Sequence, residues 1–163
     1  MWLSIVPMLL TLSQSVDTLG RLACSEAGPY QPEAKRVMRV LYNRSILYKS
    51  PVLVEAKKPY QFALTRCKRK DLKPFHFSLA MKTLLGSIKA PDKVLNKGRV
   101  THFAATWALA KQHPRCKGYT TQEVWEYNGL EPVLTTEVKH VFFKKKKGKS
   151  PSGCPSRRGS NGK

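Results

Sequence analysis

The stretch Pro74-Phe75-His76-Phe77-Ser78-Leu79-Ala80-Met81 (PFHFSLAM) decides how this chain is read. Phe75, Phe77, Leu79 and Met81 alternate with His76, Ser78 and Ala80, the period of two that gives a β-strand one packed face and one face toward solvent or ligand. Segments on either side share its β-branched and aromatic content and are cut by Pro and Gly. Residues 46–54, 60–66, 73–81, 92–96 and 98–105 are therefore expected as strands of an antiparallel sheet. Asn96-Lys97-Gly98 supplies a tight turn, and a second hairpin is expected within 123–143 around Asn128-Gly129.

Upstream, 32–45 (PEAKRVMRVLYNRS) places Ala34, Val37, Met38 and Leu41 on one helical stripe and turns Lys35, Arg36 and Arg39 away from it. Pro32 suits a first turn, Glu33 the positive end of the helix dipole, and Asn43 to Ser45 the exit. Asn43-Arg44-Ser45 is also a glycosylation sequon. The expected class is α+β: an N-terminal helix packed on a small antiparallel β-sheet. From Lys144 onward, KKKKGKSPSGCPSRRGSNGK has no acid and almost nothing apolar, and is expected as a disordered basic tail.

With 163 residues, 41% of them apolar, the chain can build one modest core. Thirty Lys+Arg against ten Asp+Glu give a net charge of +20, which favours polyanions such as nucleic acid, anionic lipid or acidic polysaccharide. The uncharged run WLSIVPMLLTL (2–12) has the length of a secretory leader, with cleavage options after Ser15 or Gly20, and is too short to span a bilayer. Read so, the mature protein is secreted and has no membrane partner. Cys24, Cys67, Cys116 and Cys154 contain no CxxC pair, which suits disulfides and argues against zinc or another metal; spacing leaves all three pairings open. No cofactor is expected.

The stretch from Lys73 to Cys116 resembles the small secreted guanyl-preferring fungal ribonucleases and their degenerate relatives, the ribonuclease-like effectors of plant-pathogenic fungi. The matching elements are Phe75-His76-Phe77-Ser78-Leu79 for the strand that carries the catalytic Glu, Ala90-Pro91-Asp92-Lys93-Val94-Leu95 for the Arg-bearing stretch, Thr101-His102 in 98–105, and Cys116. The resemblance implies a microbial-ribonuclease-like domain over 21–118 after a leader at 1–20, with an extension at 119–143 and the tail at 144–163. It also implies a Cys24 to Cys116 disulfide, leaving Cys67 and Cys154.

The remnant catalytic positions are Tyr60, His76, Lys93 and His102. Only the acid His is retained; Lys93 lacks the forked donor of Arg and His76 replaces the base. The expected function is that of a secreted, catalytically inactive effector, delivered into host cells, that binds RNA through Lys68, Arg69, Lys70, Lys93, Arg99 and His102. Its expected partners are RNA and host RNA-associated proteins, and it is expected as a monomer. Two alternatives stand beside it: an active endoribonuclease using His76 and His102 as an acid/base pair, and a non-enzymatic basic protein that holds any polyanion.

Overall fold

The computed structural model describes residues 5–58, 62, 64, 66–148 and 152–155, with side chains from residue 11 onward. It is of the α+β class, helices with a small three-stranded antiparallel sheet. The chain divides into two compact units, Met1–Thr101 and His102–Lys163. The boundary lies ahead of the expected one at residue 118.

The first unit is helical. Helices α1 (Ile5–Ala27), α2 (Gln31–Leu47), α3 (Val52–Ala56) and α4 (Pro74–Leu84) pack on one another. The stripe Ala34, Val37, Met38 and Leu41 forms the buried face of α2 as expected, and α2 packs on α1, whose Leu19, Leu22 and Ala23 are also fully buried. Helix α2 runs past Asn43 to Leu47, so the sequon is not its exit. Asn43 is 1% exposed, and its amide is hydrogen-bonded inside the fold and closed to a glycan.

The deciding stretch is a helix. Pro74 begins α4, and its buried face is His76, Leu79, Ala80 and Thr83, spaced i, i+3, i+4 and i+7. The alternation of Phe75, Phe77, Leu79 and Met81 is coincident with this stripe and lost to it. Residues 46–54 are likewise the end of α2, a turn and α3, and 92–96 form a turn and a short 3-10 helix (Leu95–Lys97). Of the expected strands that lie within the described residues only 98–105 is one, as β1 (Val100–Ala105), entered through Gly98 at φ 76°; most of 60–66 lies outside the described residues. The α1 helix runs continuously through Ser15 and Gly20, with Leu19 fully buried and Gly20 close against α4, where an added Cβ would meet Leu72 and His76. A chain cut after Gly20 would therefore lack Leu19 from this core.

The second unit holds α5 (Thr106–Leu109), α6 (Thr121–Tyr127), β2 (Leu130–Thr135) and β3 (His140–Lys145), in a sheet of order β1-β3-β2. The hairpin turns at 136–139, where Lys139 has φ 61° and Thr136 N–H donates to the His140 carbonyl at 2.9 Å. Asn128-Gly129 instead ends α6. Pro132 is tolerated on the edge strand β2, next to a register shift at Val133. Leu109, Leu130, Val141 and Phe143 form the core of this unit, with Ala104 and Trp125 packed against it.

Disulfides join Cys24 to Cys67 and Cys116 to Cys154, each within one unit. The implied Cys24–Cys116 bond is not formed. Cys24 on α1 faces a segment that the same helix holds by polar contacts: Arg21 donates to the Cys67 carbonyl at 3.1 Å, and Ser25 Oγ accepts the Cys67 N–H at 3.0 Å. The expected tail is ordered in part. Lys144 and Lys145 belong to β3, and Cys154 and Gly153 are tied to Cys116 and Asn128.

Candidate nucleic-acid interface

The residues between α4 and β1 have almost no regular structure, yet they are fixed from one face of α2. Gly86 ends α4 in the left-handed conformation, with Ser87 N–H donating to the Lys82 carbonyl at 2.8 Å and Gly86 N–H to Thr83 at 3.2 Å. Beyond it, Arg39 donates to the carbonyls of Ile88 at 2.8 Å and Asn96 at 3.0 Å. Asn43 Nδ2 donates to Leu95 and Val100, both at 2.9 Å. Arg36 Nε meets the Asp92 carboxylate at 2.7 Å while its Nη1 meets Glu33 at 3.0 Å. Asn96 closes the loop on itself, accepting from Ala90 N–H at 3.0 Å and donating to the Ala90 carbonyl at 2.9 Å.

The three α2 side chains stand at i, i+3 and i+7, so one polar stripe of a single helix supplies the partners that an irregular buried backbone needs. Arg36 and Arg39, expected to turn away to solvent, point inward here. Burial opposes the charge on Arg36, but its bonds to Asp92 and Glu33 outweigh that and raise its pKa above the ordinary guanidinium value. Arg39, which meets mainly carbonyls, has its pKa lowered by burial, offset in part by Tyr42.

Pinned in this way, the loop presents Lys89, Lys93 and Lys97 to solvent at intervals of four residues, with Arg99 half-buried beside them. No ion pair engages these three lysines among the described residues. Five of the six acids of the first unit have partners other than these lysines. Glu33 and Glu55 are fully buried, Glu55 between Arg44 at 3.3 Å and Lys58; Asp92 is on Arg36; Asp17 lies 3.5 Å from Arg69. Asp71 accepts the Lys68 N–H at 2.7 Å. Glu33, Asp92 and Glu55 thus neutralise the interior Arg36 and Arg44, and among the described residues no ion pair compensates Lys89, Lys93 and Lys97.

Of the positions singled out in the sequence, Lys93 and Arg99 belong to this loop. Lys68, Arg69 and Lys70 lie together, exposed, on a short 3-10 turn (Arg69–Asp71). Arg69 and Lys57 border a shallow open depression of about 350 Å³ along the polar side of α1, with Ser13, Gln14 and Thr18. Tyr60 lies outside the described residues.

His76 is buried, and both ring nitrogens are committed: Nδ1 accepts the Lys73 N–H at 2.8 Å, and Nε2 donates to the Gly28 carbonyl at 3.0 Å. It ties the start of α4 to the end of α1. Burial above all, with the charge of Lys73, lowers its pKa from the ordinary value, and the Gly28 bond offsets part of this. His102, in the other unit, sits on β1 with its ring edge-on to Trp125 at 5.7 Å. The same unit carries an exposed Trp107 with the Lys111 ammonium 4.6 Å from its ring centre. Among the described residues no group of His, Cys, Asp and Glu is arranged to hold a metal ion.

Lys89 and Lys97 were missed in the sequence, although their spacing with Lys93 is visible there. The pins Arg36, Arg39 and Asn43 had no local signal, since their partners lie 49 to 57 residues away. Comparison with known proteins returns no matching family model, no matching curated protein and no matching solved structure.

Proposed function

We propose that this chain is a non-catalytic RNA-binding protein whose primary contact is the pinned lysine loop between α4 and β1. The observation that carries the reading is the pairing of a rigid loop with unpaired charge: Lys89, Lys93 and Lys97 are exposed on backbone that Arg36, Arg39 and Asn43 hold in place. A loop already ordered binds a phosphate backbone without the entropic cost of ordering lysines on a mobile segment. Lys68, Arg69 and Lys70, exposed on their own turn of the first unit, are further cations for a phosphate backbone.

Of the ribonuclease-like reading, the proposal keeps the RNA partner and the absence of turnover. His76 stands on a helix, not a strand, and its committed nitrogens leave no base to pair with His102. An oxidising compartment is part of the proposal and is supported by two disulfides; removal of 1–20 is not part of it, since Leu19 of α1 is fully buried in the core. The effector role has the sequence resemblance behind it. The test is incubation of the oxidised full chain with end-labelled single-stranded RNA across a salt series, reading retardation and fragment length together. Retarded, intact RNA whose binding weakens steeply with salt is the expected result; fragments, or no retardation at low salt, would overturn it.

A further inference from the structure

The corner joining α2 to α3 breaks the rule that governs the rest of α2. Where Ala34, Val37, Met38, Val40 and Leu41 are fully buried, the apolar side chains that follow are not: Ile46 is 60% exposed and Val54 51%, with Leu47 and Tyr48 exposed between them. Val52 and Leu53 are half-buried. Lys49 occupies the turn at φ 50° and is exposed, as is Lys57; Lys58 stands at the end of α3 with its ammonium 5.3 Å from the Tyr48 ring centre. The one acid between residues 46 and 58, Glu55, is fully buried against Arg44 and Lys58. Between residues 46 and 58 the corner is therefore aliphatic and cationic with no exposed carboxylate, and the one acid beside it, Asp17 across the depression from Lys57, is paired with Arg69.

We propose that this corner is a peripheral docking surface for an anionic lipid bilayer. Aliphatic side chains and a tyrosine are accommodated at the level of the headgroups and upper acyl chains, while flanking lysines reach the lipid phosphates. The charge pattern selects this occupant over others. RNA rewards the lysines but not Ile46, Leu47 and Val54, and a second copy joined by a two-fold axis would set Lys49 and Lys57 against their own duplicates. The surface shares no residue with the lysine loop, and Ile46, Leu47 and Val54 lie outside the α1 depression that Lys57 borders, so the apolar variant separates its success or failure from that of RNA binding. It also departs from the expectation of no membrane partner.

The test is co-sedimentation of the full oxidised chain with vesicles of phosphatidylcholine and phosphatidylserine in a two-to-one ratio, against phosphatidylcholine alone, at physiological salt. The wild type is expected to pellet with the anionic vesicles. The exposed triple variant Ile46→Gln/Leu47→Gln/Val54→Gln is expected to partition at least about tenfold less, with thermal unfolding and RNA retardation unchanged as the check on folding. Lys49→Gln/Lys57→Gln is expected to lose the preference for phosphatidylserine. The proposal is overturned if the wild type stays in the supernatant or if the triple variant pellets like the wild type. A wild-type dimer in sedimentation velocity that the triple variant abolishes would give the surface to a second copy instead.

Discussion

Replacing Asn43 by Ala removes one of the three α2 side chains that hold the loop. The amide donates to the Leu95 and Val100 carbonyls at 2.9 Å each from a site 1% exposed, so the truncation removes two buried hydrogen bonds, partly offset by the loss of a buried Oδ1 that has no partner. At roughly 1–3 kcal/mol for each buried group left unmade, and allowing for relaxation at the end of the loop, the loss is about 2–4 kcal/mol. With a urea m-value of about 2 kcal/mol/M, the unfolding midpoint falls by roughly 1–2 M. Asn43→Asp keeps the shape but turns a carboxylate toward the same two carbonyls, and is expected to be at least as destabilising at neutral pH. Urea melts of both variants by circular dichroism provide the assay. A midpoint shift for Asn43→Ala no larger than that of an ordinary surface substitution, about 0.5 kcal/mol, would refute the idea that α2 pins the loop.

Two further outcomes follow from the packing. Gly86 has φ 71°, and an added Cβ would come 2.9 Å from the Tyr42 hydroxyl, so Gly86→Ala is expected to cost about 1–3 kcal/mol through backbone strain and displacement of that ring; an unchanged melting temperature would show that the end of α4 is not held this way. Since the pKa of His76 is lowered in the folded chain, the unfolded chain takes up its proton first, and its stabilising contribution is complete above about pH 6.5 and lost as pH falls below that. Comparing His76→Gln with the wild type by urea melts between neutral and mildly acidic pH should show a shallower loss of stability in the variant, and parallel curves would remove His76 as the cause.

The helix α2 was legible because its apolar residues have a single period: no strand register puts Ala34, Val37, Met38 and Leu41 on one side. PFHFSLAM has two. Its alternating aromatics outweighed Pro74 at a helix start and the stripe His76, Leu79, Ala80 and Thr83, and the choice between the periods was made by packing against α1, which the local sequence does not contain. The resemblance drew its catalytic strand from the same eight residues, so that layout failed with it. For the interface, the charge and Lys93 were visible. Its rigidity was not, because Arg36, Arg39 and Asn43 looked like the solvent side and exit of a helix until the loop that folds back on them was in place.

The central claim, that the pinned lysine loop is where RNA binds, is tested most directly by Lys89→Gln/Lys93→Gln/Lys97→Gln. All three side chains are exposed and free of ion pairs among the described residues, so the variant should melt like the wild type. Binding of single-stranded RNA measured against salt should lose about 2 from the slope of log K on log salt, the share of three phosphate contacts on a single strand. A variant with the wild-type affinity and the wild-type slope would contradict the account.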